Sequence, residues 1–376
     1  MGAIYLDNNA TTAVAPEVVE VMMPFFEEHY GNPSSLHETG RKVREAVEDA
    51  RSQLASLINC SASELIFTSG GTESINSAIS ACVDSGAKRK LVISSVEHVA
   101  VEDFAESRKN LGVELTRIGV DQNGQIDLQK LEDAIDDEVS LVSVIWGHNE
   151  TGILSPVLDI AKLCHEKGVL LHLDGVQAVG KIKVDLKELQ CDLLSISAHK
   201  LHGPKGVGAL FVRDGIKLNP YHIGGGQEQG RRAGTEAVAN VVGLGKACEL
   251  ALESLEENAR IVSSLRDRFE SEISQKFSFA KIIGEESERL PNTSKVCFEG
   301  FEAETLLPLL DIRGICVSHG AACSSGSWGP PRVLSEMGFP DEWAKGSVRF
   351  SWSKYNECKD ILIVLDALEE VFSLLQ

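Results

Sequence analysis

Six short apolar runs recur between residues 64 and 213, and their spacing constrains the fold more than any other feature of the chain. ELIFTS, KLVISS, SLVSVIW, VLLHLD, LLSISA and GALFVR are rich in Val, Ile, Leu and Phe, and segments of helical periodicity such as VEDFAESRKNLG, LQKLEDAIDD and VLDIAKLCHEKG lie between several of them. Parallel strands need crossover connections, so apolar strands separated by amphipathic helices predict a mainly parallel sheet covered on both faces, a three-layer α/β domain. Two helices are expected ahead of the first of these strands. PEVVEVMMPFFEEHYGNPSS runs to Gly31 and Pro33, and HETGRKVREAVEDARSQLASLIN repeats its apolar spacing.

With 376 residues and 43% hydrophobic content, the chain exceeds what one core usually supports. A long amphipathic helical region from about Ala237 to Phe277 leads into strand patterns at TSKVCFEG, ICVSHG and SVRFSW, interleaved with helices. A smaller α+β domain is expected there, joined by the first residues of the chain. The boundaries expected are 15–250 for the large domain, with 1–14 and 251–376 forming the small one. No repeat, low-complexity tract or proline-rich linker separates the two, which places an active site in the cleft between them.

Acidic residues number 56 against 36 basic ones, for a net charge of −20. That balance repels phosphate backbones and excludes nucleic acid as a partner. No stretch approaches the ~20 apolar residues of a membrane span, and the opening MGAIYLDNNATT lacks the regions of a signal peptide, so a cytoplasmic protein is expected. The nine cysteines form neither a CxxC pair nor a cluster with histidine at zinc spacing. They are read as reduced thiols, with no metal site, and most sit in apolar segments that suit small buried hydrophobes.

Ligands of an open parallel sheet bind beyond the carboxyl ends of its strands. In ELIFTSGGTESIN a strand meets Gly70 and Gly71, and then Thr72 at the start of a helix, where small residues and free amides suit an anion. A plain glycine turn with a threonine cap fits the same residues. VLLHLDGVQAVG ends its strand at Asp174, a carboxylate that must be paired or hydrogen-bonded to offset its desolvation. It suits a local turn former, or an anion that keeps a heterocyclic nitrogen protonated. LLSISAHKLHGPKG ends another strand at Ser197, Ala198, His199 and Lys200. A desolvated lysine there is nucleophilic and can form a Schiff base with a carbonyl cofactor; in isolation, a lysine before a glycine loop is more often a solvated charge. Cys323, in SHGAACSSGSWGPP, lies among glycines and serines too polar for a core, as a reactive thiol on a loop requires.

Nearly end to end, through YLDNNATT, YGNPSSLH, TSGGTES, VEHVAV, NETG, DGVQAVGK, SAHKLHGPKGVGALF, GRRAGTE, GAACSSGS and SVRFS, the chain resembles the cysteine desulfurases of the NifS/IscS-like group. These belong to the class V aminotransferase family, the pyridoxal-phosphate-dependent transferases of fold type I. The resemblance implies a mainly parallel seven-stranded sheet, a homodimer, and release of alanine from L-cysteine with its sulfur left as a persulfide on Cys323. It implies that Lys200 bonds the cofactor and later carries protons, that Asp174 pairs with the pyridine nitrogen, that Gln177 bonds the phenolic oxygen and that His98 stacks on the ring. Gly71, Thr72, Ser197 and His199 match the phosphate cup, and Thr235 the residue that a neighbouring subunit adds to it. Asn149 and Arg349 match the pair that grips the substrate carboxylate, Asn149 lying against the cofactor as well.

By the same resemblance the persulfide passes to an acceptor, an iron-sulfur scaffold protein first among them. A selenocysteine lyase or cystine lyase on the same scaffold, which needs Cys323 less, is the alternative within the enzyme class. A binding scaffold that has lost the chemistry is the alternative outside it. The chain departs from the group's usual pattern at Trp146, Gly147 and His148, at Gln229, at Trp328 and at Trp352. None of these removes a catalytic group.

Overall fold

A computed structural model describes residues 3–84, 88–320 and 329–375. Cys323 and Trp328 lie outside the described residues. Among the described residues, twelve strands run in chain order as β1 (Ile4–Tyr5), β2 (Leu65–Thr68), β3 (Lys90–Ser94), β4 (Glu114–Ile118), β5 (Val139–Ile145), β6 (Leu170–Asp174), β7 (Leu193–Ser197), β8 (Gly208–Val212), β9 (Ala280–Ile282), β10 (Thr293–Phe298), β11 (Ile315–Cys316) and β12 (Ser347–Ser351).

Seven of them form one sheet in the order β2-β8-β7-β6-β5-β3-β4. β8 runs antiparallel to both its neighbours, β2 and β7, and every other pairing is parallel. All seven residues of β5 are buried, as a strand covered on both faces requires. On one face pack Leu54 and Ile58 of the helix Glu38–Ile58 and Ile160 of the helix Val157–Lys167. Ile75 and Ile79 of the helix Gly71–Val83 and Val101 of Val99–Arg108 cover the other. The helix Glu38–Ile58 opens where His37 Nδ1 accepts the Gly40 amide at 3.1 Å and ends on Asn59 in the left-handed region. The long helix expected ahead of it is broken at Met23 into Pro16–Met22 and Pro24–Glu27, because Pro24 has no amide to continue the ladder.

A second core gathers on the three-stranded sheet β12-β10-β9, which is antiparallel throughout, and on the parallel pair β1-β11. One helix, Val238–Lys276, spans both cores: at 39 residues it is about 58 Å long. Leu244 and Ala247 near its start enter the first core, whereas Leu265, Phe269 and Ile273 near its end enter the second. The chain's opening segment crosses in the same way, with Leu6 in the second core and Ala15 in the first.

Candidate active site

The parallel strands β5, β6 and β7 all end at one edge of the sheet, and the loops beyond them line a cleft of about 730 Å³. Lys200, Asp174, Gln177, His98, Asn149, Gly71, Thr72, Ser197, His199 and Arg349 all border this cleft. Residues scattered over most of the chain thus meet at one place. Thr235 does not border it; that residue is exposed.

Asp174 is the last residue of β6 and is 4% exposed. Its Oδ1 accepts the Val176 amide at 3.0 Å. Burial raises its pKa, and the nearby His98 and Lys200 oppose that rise. One strand over, β7 runs into a 3-10 turn, Ala198–Lys200, that delivers the lysine to the same cleft. Lys200 Nζ donates to the carbonyls of Asn9 at 2.5 Å and Ala10 at 2.7 Å. The turn is anchored by the opening segment, since Thr12 donates its amide to His199 O at 3.0 Å.

At the end of β2, Gly70 adopts φ +151° and leads into the helix Gly71–Val83, whose first turn has no side-chain cap. A Cβ on Gly71 would lie 2.8 Å from Val176 Cγ2, so only glycine allows the two loops this approach. The uncapped helix end aims amides and partial positive charge at an anion. Below it, Glu73 is buried and would be pushed up, but hydrogen bonds from Arg232 and Ser69 bring it down to about 2. Arg232 grips it with Nε at 2.8 Å and Nη2 at 3.0 Å, and so fixes the GRRAGTE segment beside this helix.

His98 caps the helix Val99–Arg108: its Nδ1 accepts the Ala100 amide at 3.1 Å. Nδ1 is therefore unprotonated and any ring proton sits on Nε2. Arg349, from β12, is 1% exposed. It donates Nη1 to Asn149 O at 3.0 Å and Nη2 to Asp7 Oδ1 at 2.6 Å, while its buried Nε has no partner among the described residues. Ser318 pairs with Arg349 across an antiparallel bridge, five residues before Cys323 in sequence.

Three residues of the site carried no signal as site residues in the sequence. Asn9 is 1% exposed, and its carbonyl accepts from Gln177 Nε2 at 2.9 Å as well as from Lys200. Its Oδ1 accepts Lys181 Nζ at 2.9 Å and Asn292 Nδ2 at 2.9 Å, and its Nδ2 donates to Thr293 Oγ1 at 2.8 Å. Lys181 also donates to Gln177 Oε1 at 2.5 Å. Asp7 is the third, as the counter-ion of Arg349. Of the unusual residues, Trp146 is buried in the first core and Trp352 packs edge-on against Phe269 with ring centres 5.2 Å apart. His148 is pushed down to about 4 by burial, and its Nδ1 accepts the Glu150 amide at 3.2 Å.

The model of the aminotransferase class-V family matches residues 4–364. The chain belongs to that family. A cysteine desulfurase of Trichormus azollae is 44% identical over 372 residues, spanning 99% of this chain and 93% of that protein. Among solved structures, a NifS-like protein superposes with a TM-score of 0.93 at 37% identity, covering 99% of this chain and all of that one. SspA in complex with cysteine superposes with a TM-score of 0.84 at 31% identity, covering 94% of this chain and 99% of that one. Class-V enzymes of this kind work with pyridoxal phosphate, and the cleft has the features that group requires: a buried carboxylate, an amine, an uncapped helix end and a close-approach glycine. No metal-binding cluster of His, Cys, Asp or Glu occurs among the described residues.

Proposed function

We propose that this protein is a cysteine desulfurase that removes sulfur from L-cysteine, releases L-alanine and leaves a persulfide on Cys323. One observation carries this reading: Lys200 and Asp174, each at the end of its own parallel strand, share a cleft with the half-engaged guanidinium of Arg349. In this reading Lys200 would hold the cofactor through its amine until the substrate amine takes its place, and Asp174 would pair with the ring nitrogen. Gln177 would donate to the phenolic oxygen, and His98 would stack on the ring. Gly71, Thr72, Ser197 and His199 would hold the phosphate, joined by Thr235 of a second subunit in a homodimer. Pyridoxal phosphate supplies, when bound, an electron sink for charge developing at the substrate Cα.

The protein's own groups do the rest. Arg349 binds the substrate carboxylate with Asn149, which leaves the Cα–H facing the Lys200 amine. Lys200 takes that proton and holds it for return. The Cys323 thiolate attacks the substrate sulfur, forming an S–S bond as the Cβ–S bond breaks and its electron pair stays with the carbon fragment. Protonation of that fragment gives alanine, so cysteine and a thiol become alanine and a persulfide with no outside oxidant.

Supply of this persulfide to an iron-sulfur scaffold is the downstream step we infer, in the cytoplasm; no helix among the described residues is long and apolar enough to cross a membrane. The test is alanine release from L-cysteine by the holoenzyme, with mass spectrometry of the Cys323 peptide. Equal alanine and persulfide in a single turnover are expected. Undiminished sulfide release by Cys323→Ala would overturn the desulfurase reading in favour of a lyase.

A further inference from the structure

Lys181 is a partly buried amine that no carboxylate approaches within ion-pair distance among the described residues, and the charged and titratable groups that face it are Lys200, Arg349, His199 and His202. Burial first, then the Lys200 and Arg349 cations, drive its pKa well below the usual lysine range. A surface salt bridge cannot account for it. Its nitrogen has two hydrogen-bond partners, Asn9 Oδ1 at 2.9 Å and Gln177 Oε1 at 2.5 Å.

The second contact decides how the Gln177 side chain is turned. A primary amide has one accepting and one donating end, nearly identical in shape, and only its neighbours select between the two orientations. On one side stands the Asn9 carbonyl, an acceptor, which takes Nε2 at 2.9 Å. On the other stands the Lys181 amine, which takes Oε1. Nε2 has two hydrogens, and the Asn9 carbonyl engages one. The second has no partner among the described residues, and Gln177 lines the cleft.

We propose that Lys181 is a positioning residue that holds the Gln177 amide with its oxygen turned inward, so that an N–H faces the cofactor's phenolic oxygen. The inference rests on the proposed function, because it needs that cofactor in the cleft. Lys181 touches neither substrate nor the reacting atoms in this scheme and acts through Gln177. A donor at the phenolic oxygen favours its anionic form. Loss of the donor makes that oxygen more basic, and the proton shared with the bonded lysine nitrogen is then held to higher pH.

The experiment is a pH titration of the visible absorbance of the holoenzyme, its Lys181→Met and Lys181→Arg variants, Gln177→Ala, and the double variant Lys181→Met/Gln177→Ala. Lys181→Met and Gln177→Ala should each raise the titration midpoint by about one pH unit, as expected for loss of one hydrogen bond to a charged oxygen. Lys181→Arg should retain the parent midpoint. Because the lysine acts through the glutamine, the double variant should move no further than Gln177→Ala alone. An unmoved midpoint in Lys181→Met, or shifts that add in the double variant, would overturn the inference. Should Lys181→Met fail to fold, Lys181→Gln puts the same question. A parent protein with no visible band after incubation with pyridoxal phosphate would instead defeat the proposed function, and the two failures are therefore distinct.

Discussion

Asp7 Oδ1 lies 2.6 Å from Arg349 Nη2, and this single contact ties the opening segment of the chain to a guanidinium that is 1% exposed. The pair leaves Arg349 with one nitrogen on Asp7, one on the Asn149 carbonyl and Nε unengaged among the described residues. A buried arginine fixed at two corners with its third donor open is preorganised for a carboxylate, and the cost of ordering it is met in folding rather than in binding.

Replacement of Arg349 by lysine keeps the charge and removes the planar fork. One compact ammonium cannot reproduce two charge-assisted bonds held in a plane. Arg349→Lys should lower kcat/KM for L-cysteine by about 100-fold, the value of one or two such bonds, with most of the change in KM. Steady-state alanine release reads this directly.

Asp7→Ala tests the other partner. It strips the counter-ion from a buried cation, which costs about 3 kcal/mol, the low end of the usual range because the Asp7 side chain keeps 18% of its surface. A denaturant melt should show that loss. An unchanged midpoint would mean that Arg349 needs no counter-ion from the protein.

Gly71 and Val176 make a prediction with a built-in rescue. Gly71→Ala drives a methyl to 2.8 Å from Val176 Cγ2 and should weaken pyridoxal phosphate binding about tenfold, as mild overpacking does. Trimming Val176 to Ala in the same chain removes the clash and should restore most of the affinity. Fluorescence quenching on cofactor titration separates the two variants.

Glu228 anchors the loop before GRRAGTE. Its carboxylate accepts from Arg51 Nη1 at 2.8 Å, from Arg51 Nη2 at 2.9 Å and from the Phe67 amide at 2.9 Å, although its backbone sits at φ +47°. Glu228→Ala leaves the buried Arg51 cation with only the exposed Glu48 carboxylate, 3.1 Å from its Nε, and should cost about 3 kcal/mol in a denaturant melt. Glu228→Gln should cost less, since its amide oxygen still accepts.

The apolar runs made six strands of the main sheet legible because those strands are buried on both faces. β4 (ELTRI) carries no such run: at the sheet edge only Ile118 of its five residues is buried, so its composition reads as mixed. The seventh strand followed from the family resemblance. β9, three residues long, carries too short a pattern to stand out. Lys200 and Asp174 were legible because each is a charge that closes an apolar strand. Asn9, Lys181 and Asp7 were not, because what defines them lies far along the chain: Asn9 bonds Thr293, Lys181 bonds Asn9, and Asp7 bonds Arg349. Local sequence shows only a polar turn after YL. Of the eight described cysteines, Cys164, Cys191, Cys248 and Cys297 are small buried hydrophobes, Cys60, Cys82 and Cys316 are half-buried, and Cys358 is exposed at the start of the last helix.

His172 links stability to pH. It is fully buried in β6, with Nδ1 2.8 Å from Ser143 Oγ on β5 and Nε2 2.9 Å from Ser195 Oγ on β7, so one imidazole laces three adjacent strands. Desolvation pushes it down to about 3 from the 6.5 of an unfolded chain. Between those values the unfolded state binds a proton that the native state refuses, so stability falls as the medium is acidified through that interval. The slope owed to this one residue is at most about 1.4 kcal/mol per pH unit. His172→Gln cannot titrate, and its amide can still reach both serines. It should start less stable at neutral pH, then lose stability more slowly on acidification, so that the two denaturant-midpoint curves converge below about pH 6. Parallel curves would show that the His172 imidazole accepts its proton within the folded protein.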